Sequence, residues 1–263
     1  MLNGIDSALE ERLLPFLKEN ETYDMKINVE KVEKIEFPKE GNQISVSHFN
    51  YVSDKEKNHI WADYCNTALV SGSMDWSNST IYTTRNMTRH IEESYLLNLI
   101  QGILSNNKGF ILHGSVIKYS NEGIIFTASS GVGKSTQAEL WKKYENAEII
   151  NGDKAFIRYF NDGAKVYGSP WSGSSNIIKN KKVPLKAIIV LEQGKENKIR
   201  EVHGLEKLSY FNTHVYYPYW DNKLVNLTME TLDLVLKKVP VYLLICRPDK
   251  EAVELVKSTL FSN

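Results

Sequence analysis

Thr127-Ala128-Ser129-Ser130-Gly131-Val132-Gly133-Lys134-Ser135-Thr136 is a run of small residues that closes on one lysine and two hydroxyls. It is entered from the apolar stretch Ile124-Ile125-Phe126 and left through Ala138, Leu140, Trp141 and Tyr144, which form one apolar helical face. Strand, glycine-rich turn and helix in that order are the setting in which G-x4-G-K-S/T cradles phosphate. Gly131 and Gly133 let amide hydrogens from Ser129 to Thr136 converge on phosphate oxygens. The helix starting near Ser135 brings its positive end to the same point. Lys134 supplies a mobile charge for the β and γ phosphates of ATP, and the Ser135 hydroxyl can ligate Mg2+. One position departs from the pattern: Ala128 stands where the first glycine belongs, which ordinary backbone angles would tolerate. The alternative is a glycine-rich turn that holds no ligand.

Moving outward, Ala147-Glu148-Ile149-Ile150-Asn151-Gly152-Asp153 reads as a short strand ending in an acid. Phosphoryl transfer needs a carboxylate beside the phosphates, to hold magnesium or to take the acceptor's proton. Asp153 is the acid placed for both roles, its plainer reading being a turn aspartate. Hairpins are expected at Val116–Tyr119 with Ile124–Thr127, and at Phe156–Phe160 with Lys165–Tyr167. In the second, Asp162-Gly163 supplies the positive backbone angles of the turn. Strands are expected at Lys186–Leu191 and Val241–Cys246, and helices at Ser135–Tyr144, Thr228–Lys238 and Lys250–Leu260. Hairpins mixed with helical connections predict an α/β chain with a mixed sheet.

Upstream, Ile91, Tyr95, Leu99 and Ile103 recur at helical spacing behind Glu92 and Glu93, and Asn106-Asn107-Lys108-Gly109 stops that helix. The domain boundary is expected just before it, giving 1–87 as a β-rich accessory domain and 88–263 as the core. Ser7–Glu10 has the form of a capping box for a short helix ended by Pro15. Met25, Ile27 and Val29, then Ile44 and Val46, alternate as half-buried strands.

The 263 residues carry 32 basic and 32 acidic side chains, so no overall field draws in nucleic acid or an anionic membrane. Neither is expected as a partner. Two cysteines, Cys65 and Cys246, stand in no metal-ligand spacing. No basic segment leads an apolar one at the N-terminus, and no window reaches the roughly 20 apolar residues of a membrane span. A cytoplasmic location is expected, with homo-oligomerisation left open.

Leu112-His113-Gly114, the hairpin, the run 127–135 and Asn151-Gly152-Asp153 resemble, in content, order and spacing, the HPr kinase/phosphorylase family. The resemblance spans roughly residues 90 to 260. It implies a P-loop kinase core of the HPr kinase and phosphoenolpyruvate carboxykinase type, preceded here by a smaller β-rich domain unlike that family's partner domain. It also implies transfer of the γ-phosphate to a serine hydroxyl. His113 matches the family's histidine-glycine pair, near the transferred phosphate; without the resemblance it is a structural or functional histidine at a strand end. Asp153 matches the second of the family's paired aspartates, while Gly152 replaces the first. That loss leaves open whether Asp153 or His113 is the base and whether the reverse reaction survives. Among shorter relatives the chain looks more like kinases that tailor ribosomally made peptides, including lasso peptides.

The expectation is an ATP- and Mg2+-dependent serine kinase acting on a peptide or protein. Lys134, Asp153 and His113 are its catalytic groups, 129–136 its nucleotide loop, and Ser135 with Asp153 its metal ligands. A small hydroxyl-bearing acceptor such as free serine is the alternative, as is a nucleotide-binding regulator without turnover. Outside this set, the loop 168–175 could act as a lid, Lys179, Lys181 and Lys182 could meet an acidic substrate, and Arg247 could steady transition-state charge. Tyr216, Tyr217, Tyr219 and Trp220 could stack a ring, though packing explains them as well.

Overall fold

A computed structural model describes residues 11–16, 25–46, 48–63, 65–84, 95–211 and 213–262. The capping box at Ser7–Glu10 and the acidic turn at Glu92 and Glu93 lie outside these. By packing, the described residues form two units, one running to Asn107 and including 217–227, the other comprising 108–216 and 228–262.

The first unit holds a six-stranded sheet in the order β1-β6-β5-β4-β3-β2. Its strands are β1 (Lys26–Lys31), β2 (Asn42–Val46), β3 (Phe49–Ser53), β4 (Lys57–Ala62), β5 (Cys65–Ser73) and β6 (Asn78–Thr83). Neighbours are antiparallel except β1 with β6. Strands β4 and β6 alternate in burial at period two, which sets the register. Ile60, Val70 and Ile81 pair across three strands and are all fully buried. Helix α1 (Leu97–Asn106) belongs to this unit, although the sequence pattern assigned it to the core. The reason is Tyr95, two residues ahead of it, whose hydroxyl accepts the Ala62 N–H and donates to the Ala68 carbonyl.

The second unit begins with β7 (Gly109–His113), β8 (Ser115–Tyr119) and β9 (Glu122–Thr127), followed by helix α2 (Lys134–Glu145). Next come β10 (Glu148–Asn151), β11 (Lys154–Phe160), β12 (Gly163–Tyr167) and the long β13 (Lys182–Gln193). After β14 (Lys198–Glu201), α3 (Leu205–Phe211) and β15 (Val215–Tyr216), helix α4 (Asn222–Lys238) leads to β16 (Val241–Cys246) and α5 (Lys250–Phe261).

Strand β13 organises the sheet. Its start, Lys182–Pro184, pairs antiparallel with β12, while its later residues run parallel to β9 on one side and β16 on the other. The chain is therefore α/β with mixed sheets, and the ends of three parallel strands, β9, β13 and β16, open together. Crevices outside the carboxyl ends of such strands are where α/β folds bind ligands. Beneath them Phe126, Ala138, Trp141, Ile189, Leu244, Val253 and Val256 form one buried cluster that seats α2 and α5 on the sheet.

Both expected hairpins form. Ser120 and Asn121 each take positive φ, 48° and 66°, the primed-turn geometry that matches strand twist. In the other turn Gly163 alone takes a positive φ, 113°, and Asp162 does not, so the glycine carries the requirement that the sequence reading gave to the pair. Asp249 caps α5, accepting the Ala252 N–H at 3.1 Å. Among the described residues no helix is long and apolar enough to cross a membrane.

Candidate functional site

The small-residue run leaves β9 at Thr127, whose hydroxyl donates to the His113 carbonyl at 2.8 Å and so ties this strand end to β7. Ala128 keeps an ordinary φ, and its methyl is buried in the cluster with Phe126 and Trp141. An alanine there fills core space that a glycine would leave empty. Ser129 and Ser130 are exposed, and the chain then turns through Gly131 at φ 80° and Gly133 at φ 127°. An L-residue would be strained at either angle. Gly133 is the N-cap of α2, and no side-chain oxygen caps that helix. Its first amides are thus offered to whatever approaches the loop, with Ser135 and Thr136 exposed beside them. Lys134 is only 8% exposed, and its ammonium arches over the loop to the carbonyls of Ala128 (2.9 Å) and Ser129 (3.1 Å). Burial pulls its pKa down, while the Asp153 carboxylate opposes that shift.

The acid sits on a corner that a single side chain builds. Asn151, fully buried at the end of β10, accepts the N–H groups of Asp153 (2.9 Å) and Lys154 (2.8 Å) on its Oδ1. Its amide nitrogen donates to the carbonyls of Ser169 and Trp171, both at 3.1 Å. The Asp153 carbonyl accepts the Gly114 N–H at 2.9 Å, which sets the histidine-glycine pair against the aspartate corner. The Asp153 carboxylate then lies 3.4 Å from His113 Nδ1 and 2.6 Å from Lys154 Nζ. Burial, then the Lys134 charge, hold His113 below the usual imidazole range against the pull of Asp153. That direction favours the neutral imidazole, the form that can accept a proton.

Three residues that the sequence reading assigned no role belong to this constellation. Asn151 and Lys154 flank Asp153, and an asparagine ending an apolar strand ahead of a glycine was the signal for the first. His214 had no such signal. It arrives because β15 pairs with Leu112 and Ile111 of β7, its carbonyl accepting the His113 N–H at 2.8 Å. Burial and the Lys134 charge lower its pKa too. Asn151→Ala is expected to cost about 2–4 kcal/mol, because several buried backbone groups lose their partner at about 1–3 kcal/mol each. Chemical denaturation would read this, and an unchanged midpoint would refute the role given to Asn151.

Gly152 has a steric cause. A Cβ there would stand 2.1 Å from the Ser175 Oγ and 2.6 Å from its Cβ. The loop 168–175 therefore leaves no room for a second acid. The loop that could act as a lid by its sequence packs here against the Gly152 backbone. Trp171 is 1% exposed and stacks on Phe156, while Ser169 and Ser172 are buried. Gly152→Asp, which would restore an acidic pair, is expected to destabilise by about 1–3 kcal/mol through overpacking. A melting temperature equal to the parent's would mean that Ser175 yields freely.

Several of the remaining sequence candidates are engaged elsewhere. Lys179 and Lys181 both bind Glu148, at 2.7 Å. Arg247 is held by Asp249 and Glu251. Trp220, within the first unit, is 8% exposed and stacks on Tyr51 at 4.9 Å, so packing accounts for it. Cys246 is a free thiol. Among the described residues no group of three His, Cys, Asp or Glu side chains could hold a metal unaided.

Two cavities flank the loop. One, of about 700 Å³, is lined by Ala128–Val132, the end of β13, Ser209, Tyr210, Thr213 and His214. The other, of about 420 Å³, is lined by Gly131–Gly133, Thr136, Gln137, Gly194 and the residues Cys246–Pro248 after β16.

No family model and no curated protein matches this chain. Among solved structures, the HPr(Ser) kinase/phosphatase from Coxiella burnetii is similar to it over 57% of this chain and 94% of that one, at 10% identity and a TM-score of 0.34.

Proposed function

We propose that the second unit is a P-loop phosphotransferase core that binds ATP with magnesium and passes the γ-phosphoryl group to a serine hydroxyl on a peptide or protein. The observation that carries this is the convergence of Lys134, arched over an uncapped helix start, with the Asp153–His113 pair. The loop amides and the α2 dipole would take the phosphates, and Lys134 would follow the charge that develops on the transferred group. Asp153 is held through its backbone N–H and carbonyl, with its carboxylate against Lys154 and His113. It, or neutral His113 beside it, would accept the serine proton as the oxygen attacks phosphorus.

Magnesium fits these residues. Ser135 and Asp153 would offer one hydroxyl and one carboxylate, and this ion habitually takes its other ligands from phosphates and water. When bound it would neutralise phosphate charge. The choice of serine rests on the family resemblance given above, and the β-rich first unit is assigned no chemistry.

The test is incubation with labelled ATP and magnesium, offering peptide pools and free hydroxy amino acids, with mass spectrometry as readout. One phosphate on serine-containing peptides is the expected product. Transfer to a free amino acid alone would replace the acceptor with a metabolite. ATP binding without any transfer would leave a regulator.

A further inference from the structure

The two cavities beside the loop differ in what they face. The larger is lined by His214, whose carbonyl accepts the His113 N–H, and so borders the strand end that carries the Asp153–His113 pair. The smaller lies on the other side, between the first turn of α2 and the ends of β13 and β16. A triphosphate whose γ end meets Lys134 and Asp153 must send its other end away from them, past Thr136.

Gln137 marks what that end would meet. It is 2% exposed and lines the smaller cavity. Its Nε2 lies 3.3 Å from the Cys246 thiol, and its buried Oε1 has no hydrogen-bond partner. Turning the amide over exchanges which end faces the sulfur but leaves one end unpaired, since a thiol is only a weak donor or acceptor. A buried carboxamide in that state is costly unless a ligand completes it. At the rim, Arg247 is tethered by ion pairs. Its backbone N–H donates to Asn197 at 2.8 Å, and its guanidinium is fixed by Asp249 at 2.9 Å and Glu251 at 2.7 Å. A guanidinium fixed in this way offers a flat face on which an aromatic ring can stack.

We propose that the smaller cavity is the nucleoside subsite, taking a nucleobase with an N–H donor that pairs with the Gln137 carboxamide while its ring lies against Arg247. At about 420 Å³ it is within the size range of small-molecule sites. The larger cavity is thereby left for the phosphoryl acceptor. This rests on the phosphate-loop reading above.

The experiment compares ADP with inorganic tripolyphosphate, each with magnesium, by calorimetry on the full chain and on Gln137→Leu and Arg247→Ala. Gln137→Leu is expected to weaken ADP about tenfold, the loss of one buried hydrogen bond, and to leave tripolyphosphate within about twofold. Arg247→Ala, at an exposed position, is expected to weaken ADP about threefold with tripolyphosphate unchanged. It carries the test if Gln137→Leu does not fold. ADP binding unaltered in the variants, or altered equally with tripolyphosphate, would overturn the subsite. A parent protein that binds neither probe would instead overturn the phosphate loop itself.

Discussion

Lys134→Ala is expected to lower phosphoryl transfer by about 10²–10³-fold or more, the scale on which single preorganised charges act on a transition state, while the fold survives. The lysine is nearly buried and its ammonium is partly desolvated, so its charge would act on a bound phosphate with little screening. Its structural contribution is small by comparison. The ammonium bonds only to two carbonyls of its own loop, and deleting it also removes a buried cation. Lys134→Arg should not restore transfer, because a planar guanidinium cannot follow the arched path of the lysine stem. Steady-state kinetics beside circular dichroism would check both variants, and full activity in Lys134→Ala would sink the phosphotransferase reading.

Asp153→Asn should lose about 10²–10⁴-fold in transfer, the range for removing a general base, and little stability. The argument turns on which atoms of Asp153 are structural. Its N–H donates to Asn151 and its carbonyl accepts from Gly114, and both bonds are backbone groups that the substitution keeps. Only the carboxylate changes, with the loss of the Lys154 ion pair. A large loss in melting temperature with transfer intact would show that Asp153 is a structural anchor for Lys154 and nothing more. Pairing this variant with Asn151→Ala separates the two roles, since Asn151 holds the corner and Asp153 faces outward from it.

Much of the second unit was legible along the chain. The α2 helix, both hairpins and the α5 cap follow from residues within a few positions of each other, and the glycines at 131 and 133 declare their backbone angles directly. Lys134 and Asp153 could be singled out for the same reason: each stands at a strand or helix end, where local chemistry marks it. Ala128 read as a weakness of the motif, yet its methyl proves to be part of the core, a fact that depends on Trp141 and Phe126 packing around it.

Other features exist only once distant segments meet. Helix α1 looked like the start of the core by its spacing, but Tyr95 bonds to Ala62 and Ala68 and draws it to the first sheet. His214 lies about a hundred residues from His113 and reaches it through two residues of strand pairing. The missing acid at position 152 was visible as a glycine, but its cause, Ser175 pressed against the backbone, was not. By itself the sequence determined an α/β chain with a glycine-rich strand–turn–helix run followed by an acid, because short-range periodicity, turn chemistry and backbone angles are written in neighbouring residues. Only the tertiary structure decided which histidine lies beside that acid, which second histidine meets the first and which cavity lies on each side of the loop, because those depend on contacts between segments that the chain brings together only in the folded sheet.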